Sequence, residues 1–187
     1  MSDDSFLDQR DGKKYKTVRI GSQIWFAENL AFCINVYDAN YKCFVYANVM
    51  ENLDKYGFLY NWEAAKKACP AGWHLPTDAE WQTLINFIIS EIGSDNISAK
   101  LKASEGWKND GNGTDDFGFA ALPSGFGTND LMFYDLEDFG TWWSATEDVD
   151  LVFTRGIRST YENVLRNSND KKGLFSVRCV KDVENQV

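Results

Sequence analysis

Thr77-Asp78-Ala79-Glu80-Trp81-Gln82-Thr83-Leu84-Ile85-Asn86-Phe87-Ile88 decides how the rest of the chain is read. Thr77 and Glu80 stand in a capping-box relation, the hydroxyl accepting from the Glu80 amide and the carboxylate reaching back to the Thr77 amide. Trp81, Leu84, Ile85 and Ile88 then recur at i, i+3, i+4 and i+7, the stripe of a helix with one buried face. The pattern predicts a helix from 78 to about 90. Upstream, Trp62, Ala65, Lys66 and Cys69 repeat that spacing, and Pro70 ends it, which predicts a first helix.

On either side the periodicity changes. Tyr15 and Thr17 alternate with Val18 and Ile20, Gly21-Ser22 supplies a type II′ turn, and Gln23-Ile24-Trp25-Phe26 resumes strand chemistry, so residues 13 to 30 read as a hairpin. From 33 to 50 the pattern is irregular. After about residue 104 come glycine-rich turns and short aromatic runs at Thr141–Ser144, Val152–Ile157 and Phe175–Val180. The order of hairpin, two helices, long loop region and strands predicts one α+β domain with an antiparallel sheet. Residues 1–10 read as a flexible lead-in, 11–182 as the domain and 183–187 as a tail.

Composition narrows the function classes. In 187 residues there are seven Trp, eight Tyr and thirteen Phe, enough rings to build a core and leave some for contact. A formal charge of -9 argues against nucleic acid, whose phosphates demand clustered Lys and Arg, and against docking on an anionic membrane face. No run approaches the ~20 apolar residues that span a bilayer. The polar start, Met-Ser-Asp-Asp-Ser, reads as sequence from which a leader has been trimmed. Cys33, Cys43, Cys69 and Cys179 lack Cys-x-x-Cys spacing and have one His for company, which disfavours zinc. Four cysteines leave three disulfide connectivities open, or four thiols.

Five stretches carry a family resemblance: Tyr56-Gly57-Phe58-Leu59-Tyr60-Asn61-Trp62, Cys69-Pro70-Ala71-Gly72-Trp73-His74-Leu75-Pro76-Thr77, Phe119-Ala120-Ala121-Leu122-Pro123-Ser124-Gly125, Thr141-Trp142-Trp143-Ser144-Ala145-Thr146 and Phe175-Ser176-Val177-Arg178-Cys179-Val180-Lys181. Over Asp11 to Asp182 the chain resembles the Fibrobacter succinogenes major paralogous domain. The resemblance implies a C-type-lectin-like fold, with two helices packed on short antiparallel strands and a long loop region. That fold is shared with the formylglycine-generating enzyme group, whose Leu-Pro-Thr-x-x-Glu-Trp helix start matches Leu75 to Trp81. It also implies an exported protein (secreted, periplasmic or on the cell surface), a lipid anchor on a removed leader, and the disulfide pairs Cys69–Cys179 and Cys33–Cys43. The family points to a fold and a compartment more than to an activity.

Candidate sites follow from residue chemistry. Asp110, Asn112, Thr114 and Asp116 place oxygen side chains at alternate positions, a donor set for calcium, although Asp115 and Ala121 stand where an EF-hand needs Gly and Glu. The competing reading is a pair of turns made by Asp-Gly and Asn-Gly. Trp107, Trp142 and Trp143 are candidate stacking rings for a sugar. Trp142 and Trp143 are neighbours in a strand, so one is expected to face outward. The calcium-lectin tripeptides Glu-Pro-Asn and Gln-Pro-Asp are missing, and Trp107-Lys108-Asn109-Asp110 carries an inserted Lys. An oxidase akin to the formylglycine-generating enzymes would need a reactive cysteine pair or several histidines. His74 reads instead as a structural hydrogen-bonder, and no catalytic residue is assigned. Arg155, Arg158, Arg166 and Arg178 read as solvated strand residues balancing the acidic remainder. The expectation is a non-catalytic binding module that presents residues 104–140 to a surface protein or glycan. It takes no cofactor unless calcium. The alternative is a structural adhesin scaffold without a small ligand.

Overall fold

The structure, a computed structural model, describes residues 5–34 and 38–182; residues 1–4, 35–37 and 183–187, with them the tail expected at 183–187, lie outside. The strands are β1 Ser5–Leu7, β2 Lys14–Ile20, β3 Gln23–Phe26, β4 Cys43–Phe44, β5 Leu59–Tyr60, β6 Trp73–His74, β7 Ser124–Gly127, β8 Phe133–Leu136, β9 Phe139–Asp148, β10 Leu151–Arg158, β11 Leu165–Asn169 and β12 Val180–Lys181. The helices are α1 Glu51–Tyr56, α2 Trp62–Ala68, α3 Asp78–Ile92 and α4 Ile97–Leu101. Mixed α+β architecture is what the pattern anticipated. Two short helices and a larger share of strand were not.

The strands form two main sheets, ordered β1-β2-β3-β12-β6 and β11-β10-β9-β7-β8, with β4-β5 as a small third. Pairing is antiparallel except for β7 on β9, which meet in parallel at Gly125 and Gly140. The expected hairpin forms, Ile20 opposite Gln23 across Gly21-Ser22. The described part of the expected lead-in, residues 5–10, is not all loose, because Ser5–Leu7 pairs with Lys14–Lys16.

Each sheet is buried on both faces, and this follows from side-chain alternation. Tyr15 and Phe26 turn to one core with α2, Trp143 and Phe175. Ile20 and Trp25 turn to a second core with α3, Phe119 and Trp142. The capping box at Thr77 is complete, and the predicted stripe Trp81, Leu84, Ile85 and Ile88 is the buried face of α3. That helix runs two residues past the expected end, to Ile92, and the amide of its C-cap Gly93 donates to the Ile89 carbonyl.

Both disulfides take the pairing implied by the resemblance, with Cα separations of 5.9 Å for Cys69–Cys179 and 5.8 Å for Cys33–Cys43. These distances lie inside the range a disulfide spans. Cys69 is the C-cap of α2 and Cys179 immediately precedes β12. The bridge therefore ties a helix end to the segment that stitches the sheets together.

Within that segment, 174–180, the run Phe175–Val180 was expected as strand. Its backbone changes partner every residue or two. It bonds in turn to Gly127, Tyr60, Thr141 and Trp143, Leu30 and Phe26, and only Val180–Lys181 is regular strand.

Arg178, read from sequence as solvated, is fully buried on this segment. Its guanidinium donates to Asn29 Oδ1 at 3.0 Å, Phe26 O at 3.1 Å, Ala120 O at 2.9 Å and Phe119 O. Burial pulls its pKa down to about 9, which still leaves it charged at neutral pH. Arg155 is likewise buried, reaching Asp78 Oδ1 at 2.6 Å. Arg166 pairs with the same carboxylate from the surface. Two of the four arginines are thus internal fasteners between elements.

Candidate functional site

Residues 104–140 are not one display loop. Trp107, Phe119 and Ala121 lie in a core, and β7 and β8 occupy much of the remainder. Lys108–Gly111 closes a turn by a 3.0 Å bond from the Gly111 amide to the Lys108 carbonyl. Asn109 and Asp110 at its centre have φ of 57° and 54°, as a type I′ turn requires. Gly113 then presses on α4: a Cβ there would stand 2.4 Å from the carbonyls of Ala99 and Lys102. Gly113 thus serves close packing of backbone on backbone.

The four proposed calcium donors are not brought together. The side chain of Asn112 turns back to accept from the Trp107 amide at 2.9 Å. Thr114 Oγ1 is directed at the Ala99 carbonyl, and Asp116 pairs with Lys100 at 2.7 Å. Asp110 stands exposed at the turn. Among the described residues no group of three or more His, Cys, Asp or Glu side chains converges as for a metal ion.

The three candidate stacking tryptophans are all buried, which corrects the expectation of an outward ring. The inference from strand alternation failed because both faces of β9 are covered. Trp142 packs toward Trp81 and Phe119, and Trp143 lies 4.5 Å, centroid to centroid, from Phe175. Each indole N–H has an internal acceptor: Asn29 Oδ1 for Trp142, Tyr60 O for Trp143 and Ala121 O for Trp107. These rings hold the frame.

The rings that line a cleft on this sheet are phenylalanines. Cross-strand partners share a sheet face. The register of β9, β10 and β11 therefore pairs Phe139 with Arg158, whose guanidinium lies 4.9 Å from the ring centroid, and Thr141 with Gly156, with Thr154, Asn167 and Asn169 farther along the same face. Phe126 of β7 joins them, its ring 6.2 Å from Phe139 and 6.1 Å from Phe175. Phe139 can lie down on the sheet because Gly156 has no side chain; a Cβ there would sit 2.6 Å from the ring. Phe126, Phe139, Thr141, Asn167, Asn169 and Phe175 enclose an open cleft of about 330 Å³. Phe126 and Phe139 are half-buried, and Asn167 is exposed with its amide making no hydrogen bond among the described residues. Asn169 spends its Nδ2 on Thr154 Oγ1 at 2.7 Å, leaving its Oδ1 as an acceptor. Sequence reading missed this site. Leu165-Arg166-Asn167-Ser168-Asn169 has no apolar alternation, and only the register shows its amides facing Phe139.

A larger depression, about 540 Å³, lies between α3 and the β3–β12 edge but carries no aromatic lining. At its margin His74, the single histidine, bonds Asp182 at 2.6 Å through Nδ1 and Glu80 at 2.7 Å through Nε2. Burial alone would lower the imidazole pKa, but the two carboxylates override it and hold it above the ordinary 6.5. Glu80 is shifted the other way. Burial would raise its pKa, and the bonds from Thr77 and His74 bring it below 4.5. The His74 contribution to stability is full below its unfolded pKa and is lost as the pH rises through the raised folded value. The Glu80 contribution is present above its unfolded pKa and lost as the pH falls through the lowered one. The melting temperature of the protein is therefore expected to fall relative to a His74→Gln variant as the pH rises from about 6 to about 9. Parallel melting curves across that interval would contradict the clasp.

The chain is thus a disulfide-bonded α+β domain with an aromatic and amide cleft on one sheet face. The family model of the Fibrobacter succinogenes major domain matches residues 18–181, and the chain belongs to that family. Neither a search of curated proteins nor one of solved structures returned a match.

Proposed function

We propose that the protein is a non-catalytic, extracytoplasmic binding module with a C-type-lectin-like fold that takes a neutral glycan in the Phe126–Phe139 cleft. One observation carries the reading: half-buried phenylalanine faces sit beside an asparagine amide that has no partner among the described residues. A pyranose ring has an apolar C–H face and a rim of hydroxyls. Aromatic faces receive the first, and amides, with both donors and acceptors, receive the second. A few polar groups set among apolar walls are the usual makeup of a small-ligand site. The two disulfides support an oxidising compartment. Among the described residues no helix is long and apolar enough to cross a membrane. The reading assigns neither a chemical step nor calcium to the cleft, since its groups are rings, amides and the hydroxyls of Thr141 and Ser168.

Phe139→Ala tests it. The substitution removes a half-buried ring above Gly156 and leaves both cores in place. On an array of neutral glycans the protein is expected to bind, and the variant to lose at least about tenfold in affinity, some 1.4 kcal/mol. An array left blank by the unaltered protein, or equal binding by the variant, would remove the reading in favour of a scaffold without a small ligand.

A further inference from the structure

Outside that cleft, Lys102 presents a different kind of site. It follows directly on α4 and is only 3% exposed. Its ammonium donates to one acceptor, the Ser159 carbonyl at 2.8 Å, and lies 5.2 Å from the centroid of Trp107. No carboxylate of the described residues pairs with it: Lys100 takes Asp116 and Lys108 takes Asp138. Burial lowers its pKa, with no nearby acid to counter the effect. A buried ammonium with one carbonyl for company departs from the rule that buried charges are paired.

The lysine does not face sealed protein. It lines a cavity of about 370 Å³ whose rim includes Asn109, Asn112, Thr160 and Tyr161 and two exposed carboxylates, Asp110 and Glu162, neither of which pairs with Lys102. The Asn112 carbonyl oxygen is committed to the Trp107 amide, which points its Nδ2 donor elsewhere. Asn109 and the Thr160 hydroxyl make no side-chain hydrogen bond among the described residues, and the Tyr161 ring is 49% exposed. The cavity therefore offers a buried lysine without a carboxylate partner in its lining, amides and a hydroxyl on its walls, and the exposed Tyr161 ring with the Asp110 and Glu162 carboxylates as acceptors at its rim.

The geometry points to a binding site for a small sugar acid, whose carboxylate pairs with the Lys102 ammonium and whose hydroxyls meet Asn109, Asn112 and Thr160. A carboxylate supplies the counter-charge that the fold withholds, and a charge-assisted bond is stronger than a neutral one. A hydroxylated ring uses wall donors that a simple anion would leave idle. The site is independent of the Phe126–Phe139 cleft and shares no residue with it.

The experiment titrates the full chain with glucuronate, galacturonate and, as an uncharged isostere, glucuronamide. Binding is followed by calorimetry and by the Trp107 indole N–H resonance. Glucuronate or galacturonate is expected to bind at least about tenfold tighter than glucuronamide, which corresponds to 1.4 kcal/mol. Lys102→Met keeps the apolar stem, removes the charge and is expected to abolish the difference while leaving neutral-glycan binding at Phe139 unchanged. The melting temperature of this variant is expected to be no lower than that of the parent, because an unpaired buried charge is exchanged for an apolar side chain. Equal affinity for acid and amide, no binding of either acid, or retention of the preference in Lys102→Met would overturn the assignment. Saturation of the same resonance by inorganic phosphate with no response to either acid would also overturn it. Failure here with intact binding at Phe139 separates this site from the proposed function, and the converse result does the same.

Discussion

Replacing both Cys69 and Cys179 by alanine is expected to lower stability by about 4–5 kcal/mol. The bridge closes 110 residues of sequence. By the chain-entropy account, its removal returns to the unfolded chain the freedom that such a loop denies it. For a protein of this size that corresponds to a fall in melting temperature of about 9–18 °C. The matching pair of replacements at Cys33 and Cys43, only 10 residues apart, should cost less, about 3 kcal/mol. Scanning calorimetry of the two double variants against the oxidised parent measures the contrast. Equal losses, or a loss under about 1 kcal/mol for Cys69 and Cys179 together, would show that the frame does not depend on this staple. The effect is local as well as entropic, because Cys179 is fully buried and adjoins Arg178.

Arg178→Met is the second large effect expected, about 3–5 kcal/mol. The methionine fills most of the volume but donates nothing. It leaves the carbonyls of Phe26, Phe119 and Ala120 without their guanidinium donor, and Asn29 Oδ1 with Trp142 as its remaining partner. Each buried acceptor stripped of its donor costs about 1–3 kcal/mol. Arg178→Lys should recover less than half, since one ammonium cannot reach acceptors spread around a planar fork. Urea unfolding measures both variants. A cost for Arg178→Met below about 1 kcal/mol would mean that the carbonyls find other donors and that the arginine is no keystone.

Helix α3 was legible because its signals are local. The Thr77–Glu80 box and the stripe from Trp81 to Ile88 lie within one continuous run, and tertiary packing agrees with both. Helix α4 has five residues and begins at Asn96 in a left-handed conformation, too short to display a period. Residues 174–180 looked like strand because their backbone is extended. No sequence pattern reveals that their partners come from five separate places.

The tryptophan pair failed for a similar reason. Alternation says that Trp142 and Trp143 face opposite ways, and they do. It says nothing of whether each side is covered, which depends on α3 on one face and on Phe175 with α2 on the other. Arg178 and Lys102 were invisible as buried charges because burial of a polar side chain is decided by distant partners, here residues 58 and 57 positions away.

The Phe126–Phe139 cleft shares that origin. Phe126, Phe139, Asn167 and Asn169 become neighbours only through the parallel β7–β9 contact and the β10–β11 register. Of the expected surface, residues 104–140, the structure retains two pieces. Phe126 and Phe139 stand on one cleft, and Asp110 and Asn112 on the cavity above Lys102.

The most direct test of the cleft is an amide-resolved NMR titration of the intact, oxidised protein with a mixture of neutral oligosaccharides. The account predicts saturable shifts of the Asn167 and Asn169 side-chain amides together with the backbone signals of Phe126 and Phe139, while the Trp142 and Trp143 indoles stay fixed. Shifts confined to another face, or a spectrum unchanged at saturating sugar, would contradict it.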